Sequence, residues 1–173
     1  MVFPDNSGIA PLYVVVSSPY EGATSTGEHS GRPFNSERAG GPILELDFST
    51  AATTRDGIDE VILHVARLDQ ADANDIMIDR LERILRGELD MTDTDRRYYT
   101  HEIRELERFR AMGLADNFKP ENGSPEWNNA HTATLEDYKL GSSEALLYTD
   151  EALDAANKQI DRIYKNLLKG EPQ

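Results

Sequence analysis

The spacing of apolar positions changes near residue 50. Before it, apolar residues are sparse and fall in two β-type runs, Leu12 to Val16 and Ile43 to Phe48, separated by a glycine-rich stretch from Tyr20 to Gly41 that reads as a long loop. The second run alternates, with Leu44, Leu46 and Phe48 on one side and Glu45 and Asp47 on the other, as in a half-buried strand. From Thr53 onward apolar residues recur three and four apart, the period of a helix with one buried face.

Five helices are predicted from this second pattern. The first runs from about Asp56 to Leu68, with Ile58, Val61, Ile62, Val65 and Leu68 on one face and Thr53 or Thr54 as its cap. The second runs from about Ala73 to Arg86 and stops at Gly87. The third, about Asp95 to Met112, opens in the capping-rich Thr92-Asp93-Thr94-Asp95 and closes at Gly113. Ser124 followed by Pro125 marks the start of a fourth helix extending to Tyr138, and a fifth spans about Asp150 to Leu168. The expected fold is mainly α: a compact helical domain over residues 49–173, preceded by a short β-containing, Gly/Pro-rich segment over residues 1–48.

Composition narrows the chemistry. With 173 residues, of which 38% are hydrophobic, the chain is long enough to bury a core. No run approaches the ~18 apolar residues that a membrane span needs, and the first residues lack the basic start and apolar stretch of an export signal. Neither membrane insertion nor signal-directed export is expected. The absence of cysteine excludes disulfides, thiol catalysis and thiolate metal sites, leaving His, Asp, Glu and Asn as metal donors. A net charge of -14 opposes binding to polyanions unless cationic groups are gathered locally.

Such a gathering exists. Residues 58–113 hold nine arginines and no lysine, and five of those arginines (Arg96, Arg97, Arg104, Arg108, Arg110) lie on the third helix among Glu102, Glu105 and Glu107. They form either a solvated face of i,i+4 ion pairs or a phosphate clamp built on Arg104 and Arg108. Three histidines lie where helical periodicity can place them. His131 shares a face with Trp127, Ala130 and Leu135, so it points inward, either as a hydrogen-bonded core residue or as a general acid/base or metal ligand. His101 and Glu105 have the i,i+4 spacing by which one helix offers two ligands to a cation, and Glu102 edges the apolar face beside Leu106 and Phe109. His64 borders the apolar stripe of the first helix, with Arg67 close by. Three histidines on helices that share a core are expected to converge on one site.

No phosphate-binding loop, dinucleotide fingerprint, nucleophile elbow or H-E-x-x-H signature is present, which disfavours nucleotide-dependent transfer, hydride transfer and α/β-hydrolase chemistry. Several strings instead resemble the C-terminal killing region of S-type pyocin-like bacteriocins and related polymorphic toxins. Val2 to Gly8 and Pro11 to Val16 look like the join between a delivery domain and its payload. Gly40 to Phe48, Leu63 to Arg67, Met77 to Ile84, Tyr99 to Arg110 (YTHEIRELERFR) and Trp127 to Tyr138 (WNNAHTATLEDY) look like the payload itself.

The resemblance implies a cytotoxic nuclease without an H-N-H finger, with DNA favoured as substrate, released from its producer, acting in the cytoplasm of a competitor cell and restrained by a cognate immunity protein. It carries His64, Arg67, His101, Glu102, Arg104, Glu105, His131 and Glu136 as functional positions. On this reading His101 or His131 activates water, a divalent ion such as magnesium or the pair Arg104 and Arg108 stabilises the phosphorane, and Glu102 and Glu105 bind the metal or orient the histidines. Arg67, Arg104 and Arg108 are the expected substrate-binding groups. Two alternatives stay open: a metal-independent ribonuclease using a histidine pair, and a non-enzymatic acidic binding or immunity-type module.

Overall fold

A computed structural model of the chain describes residues 22–121 and 123–170. Among the described residues there are five helices: α1 (Arg55–Ala66), α2 (Asp72–Leu85), α3 (Asp93–Ala111), α4 (Pro125–Asp137) and α5 (Asp150–Lys169). Each begins within three residues of its predicted start, and four of the five have a side-chain cap there. The hydroxyls of Thr54, Thr92, Ser124 and Thr149 accept first-turn N–H groups, and Thr92 with Asp95 forms a reciprocal capping box. Gly87 and Gly113, at φ of +77° and +78°, follow α2 and α3 in the left-handed conformation that a side chain would disfavour.

α3 is the central helix and packs against α1, α2 and α4, while α5 lies on α2. One apolar cluster joins Ile58 and Val61 of α1, Met77 and Leu81 of α2, Tyr98 of α3, Leu135 of α4 and Ala152 and Ala156 of α5. A second, smaller one joins Leu68, Phe109, Trp127 and Ala130. On α1, α3 and α4 alike, polar residues stand between these clusters: His64 follows Val61 and precedes Leu68, His101 to Glu105 lie between Tyr98 and Phe109, and His131 lies between Ala130 and Leu135. A belt of ionisable side chains therefore crosses the interior. None of the five helices is long and apolar enough to cross a membrane.

The segment before α1 differs from expectation. The run Leu12 to Val16 and the proposed join lie outside the described residues. Ile43 to Phe48 is extended but is not a strand, and Ile43 and Leu44 are 42% and 41% exposed. Among the described residues no strand pairs with it; its N–H groups at Leu44 and Leu46 donate to the Asp137 carboxylate and carbonyl at 2.7 and 2.8 Å.

The β structure sits instead in the stretch read as a loop, where β1 (Ser25–Thr26) and β2 (Pro33–Phe34) pair antiparallel. At two residues each, these strands are too short for an alternating pattern to reveal. Their connecting loop is bound to α4 by Glu136, whose carboxylate accepts the His29 and Ser30 N–H groups and the Ser30 hydroxyl. Arg32 donates to Thr132 and Asn128 of the same helix. Residues 24–46 thus form a strap laid over α4 and the C-terminal half of α3.

Candidate metal centre

Three helices deliver the five ionisable residues of the belt to one place. α3 supplies His101 and Glu105, one turn apart on one face, together with Glu102, while α1 brings His64 from one side and α4 brings His131 from the other. Glu105 is the hub. Its Oε1 lies 3.0 Å from His64 Nε2, and its Oε2 lies 2.9 Å from His101 Nε2 and 3.2 Å from His131 Nδ1. The last two nitrogens are themselves 3.0 Å apart. Glu102 Oε2 approaches His64 Nε2 at 4.0 Å and has no hydrogen-bond partner.

All five groups are buried, and only His131, at 8% exposure, touches solvent appreciably. Its ring stacks on Trp127 at 4.5 Å between centroids, and the Arg32 guanidinium lies 5.7 Å over that indole. His64 meets Phe109 edge-on at 5.1 Å.

Burial sets the protonation. It pushes His131 down to about 4, against the hydrogen bond to Glu105, and it lowers His64 in the same sense. Burial alone would raise the Glu105 carboxyl, but hydrogen bonds from His101, His131 and His64 outweigh it and hold Glu105 well below the usual carboxylate range. Glu102 lacks such donors, and burial beside the Glu105 charge raises it well above that range. The result is an ionised Glu105 facing two rings, His64 and His131, that burial biases to the neutral form, the states in which carboxylate and imidazole act as metal ligands.

Two triads of donor atoms could hold a metal ion: His101, Glu105 and His131, and His64, Glu102 and Glu105. For ligands about 2.1 Å from a common ion, adjacent octahedral positions are about 3.0 Å apart and tetrahedral ones about 3.4 Å apart. The first triad, with edges of 2.9, 3.0 and 3.2 Å, has the spacing of three ligands on one face of an octahedron. Hydrogen bonding accounts for at most two edges of this triangle, because with one of the two ring nitrogens carrying a proton two acceptors are left face to face, and with both carrying one the two N–H groups oppose each other across 3.0 Å.

The arginines expected to bind substrate are employed elsewhere. Arg108 is fully buried, forked onto Asp137 at 2.7 and 2.8 Å, and donates to the carbonyls of Ala39, Gly41 and Pro42. Arg104 donates to Asp137 and Glu107 at 2.8 and 3.0 Å. A phosphate clamp on Arg104 and Arg108 is therefore corrected to a structural staple between α3, α4 and the strap. Arg67 lies beneath the surface 4.7 Å over the Phe109 ring, and one nitrogen donates to the Ala115 carbonyl at 3.3 Å.

Glu136 also has a structural task, holding the strap. Sequence reasoning missed Asp137 and Arg32. The signal for the first was available: two acids in the last turn of α4 oppose the helix dipole and so require donors from outside that helix. Comparison of the chain with protein-family models, with curated proteins and with solved structures gives no match.

Proposed function

We propose that this chain is a metal-dependent phosphodiester hydrolase, the nuclease payload of an antibacterial toxin, with DNA as the favoured substrate. The observation that carries the metal-dependent part is the triangle of His101 Nε2, Glu105 Oε2 and His131 Nδ1, which has ligand spacing and lies at the one edge of the cluster that reaches solvent. Two imidazoles and one carboxylate suit a first-row transition ion such as zinc or iron better than magnesium, which prefers oxygen donors. When bound, such an ion supplies Lewis acidity to a phosphoryl oxygen and lowers the pKa of water.

The chain's own groups do the positioning. His64 holds Oε1 of Glu105, so that Oε2 stays turned toward the other two rings. Trp127 fixes the plane of the His131 ring by stacking, and Arg32, above Trp127, places positive charge beside the solvent edge where an anionic phosphate would arrive. The remote acidic surface is screened over about 8 Å at physiological ionic strength, so the net charge of -14 does not by itself forbid binding there. The phosphodiester class, the delivery from a producer and the immunity partner are supported by the resemblance of the strings around His101 and His131.

A histidine-pair ribonuclease fits less well. An acid and a base on opposite sides of a phosphate must be separated by it, and here the His101 and His131 nitrogens are 3.0 Å apart. One observation favours a second reading: the near-complete burial of the cluster suits a structural ion in a non-enzymatic acidic module.

The deciding experiment is incubation of chelator-stripped protein with supercoiled plasmid and with total RNA, after adding back zinc, cobalt, manganese or magnesium. Nicking that returns with a transition ion and stops with EDTA is the expected result. No cleavage with any ion, in a protein that binds one, would leave the structural reading standing.

A further inference from the structure

We infer that Glu105 bridges two metal ions, one held by His101, Glu105 and His131 and a second by His64, Glu102 and Glu105, making the centre dinuclear. This deepens the metal-dependent reading above and rests on its first ion.

The two oxygens of Glu105 face opposite partners. Oε2 serves the His101 and His131 nitrogens, while Oε1 lies 3.0 Å from His64 Nε2 on the α1 side. A carboxylate so divided presents one oxygen to each of two cations, which in two-metal sites lie about 3.5–4 Å apart. The remaining donors divide in the same way: His101 and His131 lie against Oε2, His64 lies against Oε1, and Glu102 lies 4.0 Å from His64.

The second triad is looser: its His64 Nε2 to Glu105 Oε1 edge is 3.0 Å, the spacing of adjacent ligands, whereas the 4.0 Å between His64 Nε2 and Glu102 Oε2 exceeds the about 3.0 and 3.4 Å of adjacent octahedral and tetrahedral ligands, so Glu102 would have to close on the ion as it binds.

An independent observation points to a cation there. Glu102 is buried, its Oε2 has no hydrogen-bond partner, and it is directed at His64. An unpaired carboxyl oxygen inside a core is costly, and a cation between Glu102, His64 and Glu105 would satisfy it. Charge agrees as well. Two divalent ions bring four positive charges against two carboxylates, leaving an excess of the sign needed to hold an anionic phosphate.

The test is metal content. The whole chain is stripped with chelator, loaded with zinc, passed through gel filtration and assayed for zinc per chain by mass spectrometry. The parent should carry two ions, Glu102→Gln one, and Glu105→Gln none. Circular dichroism on each variant checks folding.

Loading with cobalt gives a second measure that needs no variant. Two ions sharing one carboxylate couple magnetically, so the electron paramagnetic resonance signal per cobalt should fall as occupancy passes from one to two. One ion per chain in the parent at saturating zinc, two ions retained in folded Glu102→Gln, or an undiminished cobalt signal at full occupancy would each overturn the inference. A parent that holds one ion and still nicks plasmid would sink the dinuclear centre and keep the hydrolase. A parent that holds two ions and cleaves nothing would do the reverse.

Discussion

Asp137 is the residue whose loss should damage this protein most without touching the histidines. It is fully buried and accepts hydrogen bonds from Arg108 at 2.7 and 2.8 Å, from Arg104 at 2.8 Å and from the Leu44 N–H at 2.7 Å. Asp137→Ala removes the one carboxylate that, among the described residues, is paired with the buried Arg108 guanidinium. Breaking a buried ion pair from one side costs about 3–5 kcal/mol, because the remaining charge stays in a poor solvent.

The lower end of that range applies here, since the carbonyls of Ala39, Gly41 and Pro42 still solvate Arg108. A loss of about 3 kcal/mol is a large share of the 5–15 kcal/mol that holds a typical domain, and for a chain of this size it corresponds to a Tm drop of roughly 6–12 °C. Urea unfolding followed by circular dichroism measures it, with Glu107→Ala as control. That residue pairs with Arg104 at the surface and should cost under about 1 kcal/mol. A loss below about 1 kcal/mol for Asp137→Ala would refute the assignment of Arg108 as a staple. The result also bears on function, because inactivity of an Arg108 variant would report unfolding rather than lost phosphate binding.

Other outcomes follow from the same structure. His131, ordinarily near 6.5, is held at about 4 in the folded metal-free chain. The unfolded state therefore binds the extra proton between those values, and stability of the stripped protein should fall as pH drops from about 6.5 to about 4, by at most about 3 kcal/mol; a flat profile in denaturant titrations across that window would contradict it. Gly57→Ala adds a favourable helix residue worth about 1 kcal/mol, yet the new Cβ would lie 1.7 Å from the buried Tyr99 hydroxyl, so the net change should be destabilising; a raised Tm would show that Tyr99 yields freely. On the proposed toxin reading, expression of the parent chain should kill a bacterial host while His101→Gln or His131→Gln should be tolerated, and lethality of both folded variants would separate the proposed centre from any toxicity.

The helices were readable because each carries its own evidence: an apolar stripe of helical period, a hydroxyl at the start of all but α2 and, for α2 and α3, a glycine just past the end. The convergence of His64, His101 and His131 was readable for the same reason, since each lies on or beside the stripe that had to face the core. Periodicity assigns a face but not a partner. Arg104 and Arg108 looked like a cationic surface because the acid they bind, Asp137, is 33 and 29 residues away on another helix. The extended run Ile43 to Phe48 alternated convincingly, yet a strand also needs a neighbour with free N–H and C=O groups, which no single segment encodes. That Glu105 would be the hub, with Glu102 left unpaired, depended on three helix crossings at once.

The strap has a consequence for how the chain is made. Its bonds to α4 join residues separated by 107, 106 and 93 positions, from His29 and Ser30 to Glu136 and from Leu44 to Asp137. At a synthesis rate of about 5–20 residues per second, the strap leaves the ribosome roughly 5–20 s before its acceptors exist. During that interval it must survive without a partner. Rich in glycine, serine and threonine and carrying few large apolar side chains, residues 22–41 have little with which to collapse or aggregate. The composition that hid this segment from pattern reading is the one that lets it wait.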